Sequence, residues 1–340
     1  MTTESVPHLD GRQFDDLIAK VARVKADLGK VIVGQHSVID ELLMCIFAGG
    51  HCLMMGVPGL AKTLMVRTLS DVLDLSFKRI QFTPDLMPGD ITGGEVLQTA
   101  GDGGRHFAFV QGPLFAHMIL ADEINRTPPK TQAALLEAMQ EHSVTVGRTT
   151  YRLPEPFFVL ATQNPIEQEG TYPLPEAQQD RFMFFVDVDY PELEEEVEVM
   201  LRTTGNRSAT LEKCLHADDI RQIQRIVREI PAADHVVQYA VKLARLSRTR
   251  RGKEGEASVP EFIRKYQDWG AGPRAGQYLL LGAKARAFLA GQTHVAKEDV
   301  AAVALPVLRH RIIVNFAAQA EGVGSEDIIR MILEHVEKGR

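Results

Sequence analysis

The 340-residue sequence contains only three cysteines, and the features that it lacks exclude several classes of protein. Cys45, Cys52 and Cys214 form no CxxC pair and lie in apolar surroundings, so we expect reduced core residues and neither a disulfide framework nor a metal–thiolate site. No apolar run reaches the roughly 18 residues of a membrane span. The polar start MTTESVPHLD lacks the apolar stretch of a signal peptide. We therefore expect a cytoplasmic protein.

Positive charge is not in excess either. The formal net charge is −7 and the sequence pI is about 5.9, which does not indicate a dominant phosphate-backbone partner such as DNA. The apolar fraction of 45% and the charged fraction of 24% are those of an ordinary globular protein. A chain of this length can bury one large core and one smaller core.

Residues 56–63, GVPGLAKT, carry the strongest chemical signal in the chain. The apolar residues before them predict a short buried strand, and the spacing after them predicts a helix. Such a turn directs backbone N–H groups and the helix dipole at one point, where phosphates bind. Lys62 is then placed to reach the β- and γ-phosphates, and the Thr63 hydroxyl to ligate Mg²⁺. Ala61 stands where the general pattern has glycine, and a Gly/Pro turn that merely precedes a lysine is the alternative.

An apolar strand that ends in two carboxylates supplies the second signal. Residues 117–123, HMILADE, end in Asp122 and Glu123, and open α/β sheets bind ligands at the carboxyl ends of their strands. Asp122 fits a partner of Mg²⁺, directly or through water, and Glu123 fits the base that orients an attacking water. An acidic loop after a core strand is the alternative. The position about 60 residues after the phosphate loop favours the catalytic interpretation.

Apolar strand patterns alternate with helical patterns up to about residue 190. The predicted strands are 52–55, 77–82, 117–123, 157–165 and 181–188. They predict an α/β fold with a five-stranded, mostly parallel sheet and helices on both faces. Turn residues further predict hairpins at about 92–110 and at 144–153, with a loop at 83–94.

The pattern becomes helical after Tyr190-Pro191. Helices are predicted at 191–205, 217–229, 234–248, 273–290, 297–304 and 325–338, with a loop at 250–260. We therefore predict an N-terminal helical segment (1–30), an α/β nucleotide-binding domain (31–190) and a helical domain (191–340).

Five motifs occur together in a fixed order. They are GVPGLAKT, LADEINR (120–126), TQNP (162–165), LPEAQQDRF (174–182) and GAGPRA (270–275). In this combination the sequence resembles the MoxR family of AAA+ ATPases over about residues 30–340. The resemblance implies an AAA+ P-loop domain followed by an all-α lid domain, with ATP and Mg²⁺ as cofactors.

The resemblance also implies roles for individual residues. The Walker A stretch that holds the nucleotide comprises Gly56, Val57, Pro58, Gly59, Leu60, Ala61, Lys62, Thr63 and Leu64. Asp122 and Glu123 correspond to Walker B. Ile32, Val33 and Gly34 are similar to the segment that packs on the adenine.

Four further polar residues match the family pattern. Asn164 resembles sensor 1, which polarises the attacking water, and Arg274 resembles the sensor 2 arginine of the lid. Arg181 resembles the arginine finger that reaches a neighbouring subunit's γ-phosphate, and Arg126 is a second candidate for contacts across the subunit junction. For Arg181, a surface arginine paired with Asp180 is the alternative.

A finger that acts on a neighbour requires an oligomer, and the resemblance implies a homo-oligomeric, hexameric ring. It further implies chaperone-like remodelling or maturation of a protein client, such as a metalloenzyme or complex, with a von Willebrand factor A domain partner. The two hairpins would face the pore or top of the ring; a covering loop is the alternative, with Phe107, Phe109 and Val110 in the core. A nucleic-acid motor or a metal-chelatase subunit is the alternative function, although the hairpins carry few positive charges.

Overall fold

The computed structural model describes residues 11–99, 105–165, 170–205, 210–248 and 259–338. The strands, in chain order, are β1 Cys52–Met55, β2 Phe77–Gln81, β3 Gly93–Thr99, β4 Arg105–Gln111, β5 Met118–Asp122, β6 Ser143–Val146, β7 Thr149–Arg152, β8 Phe158–Gln163, β9 Phe184–Asp187, β10 Gln267–Trp269 and β11 Ile313–Val314. The helices are α1 Gly11–Val31, α2 His36–Ala48, α3 Lys62–Val72, α4 Pro88–Thr92, α5 Pro129–Glu141, α6 Glu176–Gln179, α7 Leu193–Thr203, α8 Ala217–Glu229, α9 Asp234–Leu246, α10 Glu261–Tyr266, α11 Pro273–Leu289, α12 Lys297–Ala302, α13 Ala304–Leu308, α14 Phe316–Ala320 and α15 Ser325–Glu337.

The predicted five-stranded sheet is confirmed, and its order is β2-β5-β8-β1-β9. All four strand pairings are parallel, with Leu53 opposite Ala161 and Arg79 opposite Leu120. The carboxyl ends of the five strands therefore lie along one edge. That edge brings the turn after β1 beside the residues that follow β5 and β8.

Both faces of this sheet are buried, as the nearly continuous apolar strands require. Cys52 and Met54 point into a core that α1, α2, α3 and helices of the C-terminal region share. Leu53, between them, points into a second core with α4, α5 and the β6–β7 hairpin. In β5, Leu120 likewise points into the first core and Ile119 into the second.

The C-terminal region is helical, as predicted, and packs on α2 and β9. Its helix α11 packs against the sheet at Gly282, where an added Cβ would lie 3.0 Å from Phe184 Cζ. The region also contains a two-stranded antiparallel sheet, β10–β11, which the sequence did not predict. Most of the predicted loop at 250–260 lies outside the described residues, and the division into domains near residue 190 stays a prediction.

Both predicted hairpins are present, β3–β4 and β6–β7, and they contact each other. Phe109 stacks on Tyr151 with ring centroids 3.9 Å apart. Phe107 and Val110 are 69% and 47% exposed, so the core alternative is wrong for these two side chains. Residues 100–104, most of the predicted turn of the first hairpin, lie outside the described residues.

Two smaller expectations need correction. The predicted loop at 83–94 contains α4, because Pro88 suits the first helical turn and the Asp90 carboxylate accepts the Met87 N–H at 2.8 Å. Cys45 and Cys52 are buried as expected, whereas Cys214 is only partly buried. Within the described ranges, no helix is both long enough and apolar enough to cross a membrane.

Candidate functional site

The turn between β1 and α3 has the backbone of an anion-binding loop. Gly59 has a φ of 92°, and Ala61, directly before α3, has a φ of 53°. The general pattern places glycine at position 61 because this left-handed conformation costs other residues about 1–2 kcal/mol. Gly56 is required for another reason, since an added Cβ there would lie 2.8 Å from the Val188 carbonyl oxygen.

Lys62 and Thr63 begin α3 and line a cavity of about 350 Å³. Lys62 Nζ donates to the Gly56 carbonyl and, at 3.3 Å, to the Val57 carbonyl. Burial lowers the pKa of Lys62, and the charges of Asp122 and Glu123 act in the opposite direction. A cationic side chain is thus held beside loop amides and across from two carboxylates.

Asp122 ends β5 at the other side of this cavity. Its Oδ1 accepts the Thr162 hydroxyl at 2.6 Å, and its Oδ2 accepts Arg79 Nε at 3.0 Å and Nη2 at 2.7 Å. A carboxylate and the Thr63 hydroxyl are hard oxygen donors, which Mg²⁺ prefers. The donor set that lines the cavity therefore fits this ion.

Glu123 follows with a φ of 58°, a conformation that is uncommon for a non-glycine residue. Its N–H donates to the Thr162 hydroxyl oxygen at 2.9 Å. Its Oε2 accepts Gln81 Nε2 at 2.8 Å and Arg126 Nη1 at 2.9 Å. Arg126 thus lies next to Glu123 in the same subunit.

Asn164, one residue beyond β8, is 7% exposed and lines the same cavity. The structure therefore brings five predicted residues to one cavity: Lys62, Thr63, Asp122, Glu123 and Asn164. Pro58, Gly59, Leu60, Ala61 and Leu64 line it as well.

A second, mainly apolar cavity of about 140 Å³ adjoins the first, and Gly59, Leu60, Ala61 and Leu64 line both. Ile32 and Val33, which directly follow α1, line it, and Val199 lines it from α7. The predicted Gly34 lies outside this lining, and the Glu195 carboxyl group occupies the place that a Cβ of residue 34 would take. Gly56 and Val57 line neither cavity and instead accept hydrogen bonds from Lys62.

Arg181 and Arg274 do not line the first cavity. Arg274 Nη1 donates to Asp180 Oδ2 at 3.1 Å, and Arg311 Nε donates to Asp180 Oδ1 at 2.7 Å. These two arginines form the ion pairs of Asp180, which was the alternative partner of Arg181. The Arg181 carbonyl accepts the Tyr278 hydroxyl at 3.3 Å.

Arg311 is the most enclosed of these arginines, with 2% of its side chain exposed. Its guanidinium also donates to the carbonyls of Asp180 at 2.9 Å, Phe182 at 2.7 Å and Met183 at 3.3 Å. Burial lowers the pKa of Arg311, and the Asp180 carboxylate opposes that shift. The segment that carries Arg181 is therefore bonded to a residue of the C-terminal region.

Three side chains that donate hydrogen bonds to the carboxylates of the site were missed from the sequence: Arg79, Gln81 and Thr162. Arg79 and Gln81 lie two residues apart near the carboxyl end of β2, so they share one face of the strand next to β5. The alternation of side chains within the strand FKRIQF could have indicated that these two polar residues point to the same side. Thr162 is the first residue of the motif TQNP and carries the hydroxyl that connects Asp122 to Glu123.

Comparison with known proteins agrees with this geometry. Residues 51–184 match the model described as ATPase family associated with various cellular activities (AAA), and residues 262–332 match the AAA lid domain. The chain is 39% identical over 310 residues to the protein Chaperone MoxR1 of Mycobacterium tuberculosis, covering 91% of this chain and 80% of that protein. It is 39% identical over 323 residues to YeaC of Bacillus subtilis, covering 95% and 96% of the two chains.

Among solved structures, a crystal structure of a Cytophaga hutchinsonii protein superposes with a TM-score of 0.86. That protein is 43% identical, and the match covers 95% of this chain and 96% of the other. The similarity thus includes both the α/β sheet and the helical C-terminal region. The chain belongs to the MoxR family of AAA+ ATPases.

Proposed function

We propose that this protein hydrolyses ATP with Mg²⁺ at the cavity between the β1–α3 turn and the carboxyl ends of β5 and β8. One observation carries the proposal: a lysine, a threonine hydroxyl, two carboxylates and an amide line this single cavity. Phosphoryl transfer needs positioning and neutralisation of negative charge, which this set of groups supplies.

Each group has a distinct task in this proposal. Lys62 exchanges its bonds to loop carbonyls for bonds to the β- and γ-phosphates. Thr63 and Asp122 hold Mg²⁺, which neutralises phosphate charge when bound. Glu123 orients the attacking water and accepts its proton, and Asn164 polarises that water. Ile32 and Val33 border the apolar cavity that we propose receives the adenine.

We infer that the active unit is a homo-oligomeric, hexameric ring. Arg181 lies outside the lining of its own cavity, which suits a residue that acts on a neighbour's γ-phosphate. Such an arginine is worth a factor of roughly 10³–10⁵ in turnover. We assign Arg126 a supporting role, because it bonds to Glu123 within the same subunit.

The proposed action of the ring is chaperone-like remodelling of a protein client in the cytoplasm, with a von Willebrand factor A domain partner. The relative Chaperone MoxR1 supports this class of function by its name. The β3–β4 hairpin offers a contact surface, since Val96, Leu97, Phe107 and Val110 are each 47% exposed or more. Leu97 and Phe107 are cross-strand partners, so their exposed side chains adjoin on one face of the hairpin and form an apolar patch of the kind that binds protein.

Hydrolysis measured against protein concentration tests the proposal, with the mass of the assembly followed with and without nucleotide. We expect specific activity to rise as a ring assembles, and Glu123→Gln to bind ATP without hydrolysing it. Mixing Arg181→Ala with Lys62→Ala subunits should restore part of the activity. A persistent monomer of constant activity would contradict the ring, and full turnover of Glu123→Gln would contradict the assigned base.

A further inference from the structure

Arg79 of β2 is bonded to the Asp122 carboxylate, the group that we assign to Mg²⁺. Its Nε and Nη2 donate to the same carboxylate oxygen, Oδ2, at 3.0 and 2.7 Å. The other oxygen, Oδ1, already accepts the Thr162 hydroxyl at 2.6 Å. Both oxygens of Asp122 thus have protein partners, and one of those partners is a cation.

The strand register fixes this contact. Arg79 is paired with Leu120, two residues before Asp122, so its side chain leaves the sheet on the same face and points along the carboxyl edge. Gln81 Oε1 accepts Arg79 Nη2 at 2.6 Å and holds the guanidinium in place. Arg79 also lines the cavity that contains Lys62 and Thr63.

The pair is asymmetric in its exposure. The Asp122 side chain is 13% exposed, whereas the Arg79 side chain is 48% exposed. A nearly buried carboxylate is costly without a counter-ion, while an exposed guanidinium can turn to solvent at little cost. The arrangement therefore favours replacement of Arg79 by another cation and disfavours removal of the cation altogether.

We propose that Arg79 is the resident counter-ion of Asp122 and that Mg²⁺ must displace it from Oδ2. Arg79 thereby sets the Mg²⁺ concentration at which the nucleotide site becomes metal-bound. The inference rests on the proposed Mg²⁺ and nucleotide site. Partly exposed ion pairs are weak, so we expect this competition to raise the Mg²⁺ midpoint by roughly threefold to tenfold.

The test measures metal binding without turnover. Mn²⁺ binding in the presence of ADP is followed by electron paramagnetic resonance, and Mg²⁺ is then titrated against it. Arg79→Met removes the charge and keeps the aliphatic stem, and we expect its Mg²⁺ and Mn²⁺ midpoints to fall threefold to tenfold. Arg79→Gln carries the same expectation if the methionine variant does not fold, and Arg79→Lys should remain close to the wild type.

Lys78→Met is the matched control, because Lys78 is the neighbouring exposed cation on β2 and its side chain leaves the opposite face. It should leave both midpoints unchanged, so a general effect of net charge would be recognised. Unchanged or raised metal midpoints in Arg79→Met and Arg79→Gln would overturn the competition. A wild type that binds ADP but no Mn²⁺, or no nucleotide at all, would instead overturn the proposed site itself.

Discussion

Replacing Thr162 by valine tests how the two carboxylates of the site are held. The Thr162 hydroxyl donates to Asp122 at 2.6 Å and accepts the Glu123 N–H at 2.9 Å, and Thr162 is 1% exposed. Valine keeps the shape of threonine and removes both hydrogen bonds. Glu123 would then keep its left-handed φ of 58° without the bond that holds its N–H.

Two contributions determine how much Thr162→Val lowers the free energy of unfolding. A hydrogen bond to a charged acceptor contributes about 1.5–3 kcal/mol, and an unsatisfied buried N–H costs about 1–3 kcal/mol. Because valine also gains apolar burial, we expect a net destabilisation of about 2–4 kcal/mol. Thr162→Ser retains the hydroxyl and loses one methyl group, which costs about 1 kcal/mol.

Urea denaturation of the wild type and both variants, with ATP hydrolysis measured in parallel, compares these costs. We expect Thr162→Val to be less stable than Thr162→Ser, and to lose at least tenfold in kcat because Asp122 and Glu123 lose their common anchor. Equal stability and equal turnover of the two variants would refute the reasoning, since only the hydroxyl distinguishes their hydrogen bonding.

Three further substitutions test other parts of the structure. Ala61→Gly removes the steric cost of the left-handed backbone at position 61 but adds the conformational entropy cost of glycine. We expect urea titration to show a net gain of up to about 1 kcal/mol in the free energy of unfolding, and a loss would contradict this. Burial raises the pKa of Glu41 from 4.5 to about 7, so its contribution to stability is present below pH 4.5 and is lost as the pH rises through 7. Between pH 4 and 8 the free energy of unfolding of the wild type should therefore fall by roughly 3 kcal/mol relative to that of Glu41→Gln. Urea denaturation at several pH values measures both, and the same pH dependence in the two proteins would refute the assignment. Gly282→Ala places a Cβ 3.0 Å from Phe184 Cζ. Thermal unfolding should show a loss of about 1–3 kcal/mol in the free energy of unfolding, whereas an unchanged midpoint would mean that the Phe184 side chain moves aside at no cost.

The sequence was sufficient for the parts of the site that depend on local pattern. The strand before Gly56, the helix after it and the apolar strand that ends in Asp122 each have a strong local signal. The parallel sheet then brings their ends together, because parallel strands present their carboxyl ends at one edge. The sequence alone therefore predicted that Lys62 and Glu123 meet at one site, and both line the same cavity.

The contacts that hold the site depend on register, which the sequence did not determine. Arg79 reaches Asp122 because β2 pairs with β5 at a particular offset, and Thr162 reaches it from β8. A shift of one residue would turn either side chain to the other face. Hydrophobic spacing alone does not distinguish those registers.

The two strands of the C-terminal region were missed for a different reason. β10 and β11 have three and two residues, which is too short for a recognisable alternation, and each is stabilised by pairing with the other across more than 40 residues. Exposure was equally hard to predict: Phe107 and Phe109 lie two residues apart on β4, yet Phe109 stacks on Tyr151 of the neighbouring hairpin while Phe107 is 69% exposed.

The bonds of Arg311 have a mechanical consequence for Arg181. Along the chain, Arg181 lies shortly before β9, which begins at Phe184, but the carbonyls on both sides of it are bonded to Arg311 of the C-terminal region. If that region turns relative to the sheet, either these buried bonds break or Arg181 moves with it. Breaking them would leave the Arg311 guanidinium, which is 2% exposed, without its bonds to Asp180 and Phe182, and an unpaired buried charge is costly. The position of the Arg181 side chain would then change with the orientation of the C-terminal region, and so would its contact with a molecule bound against it.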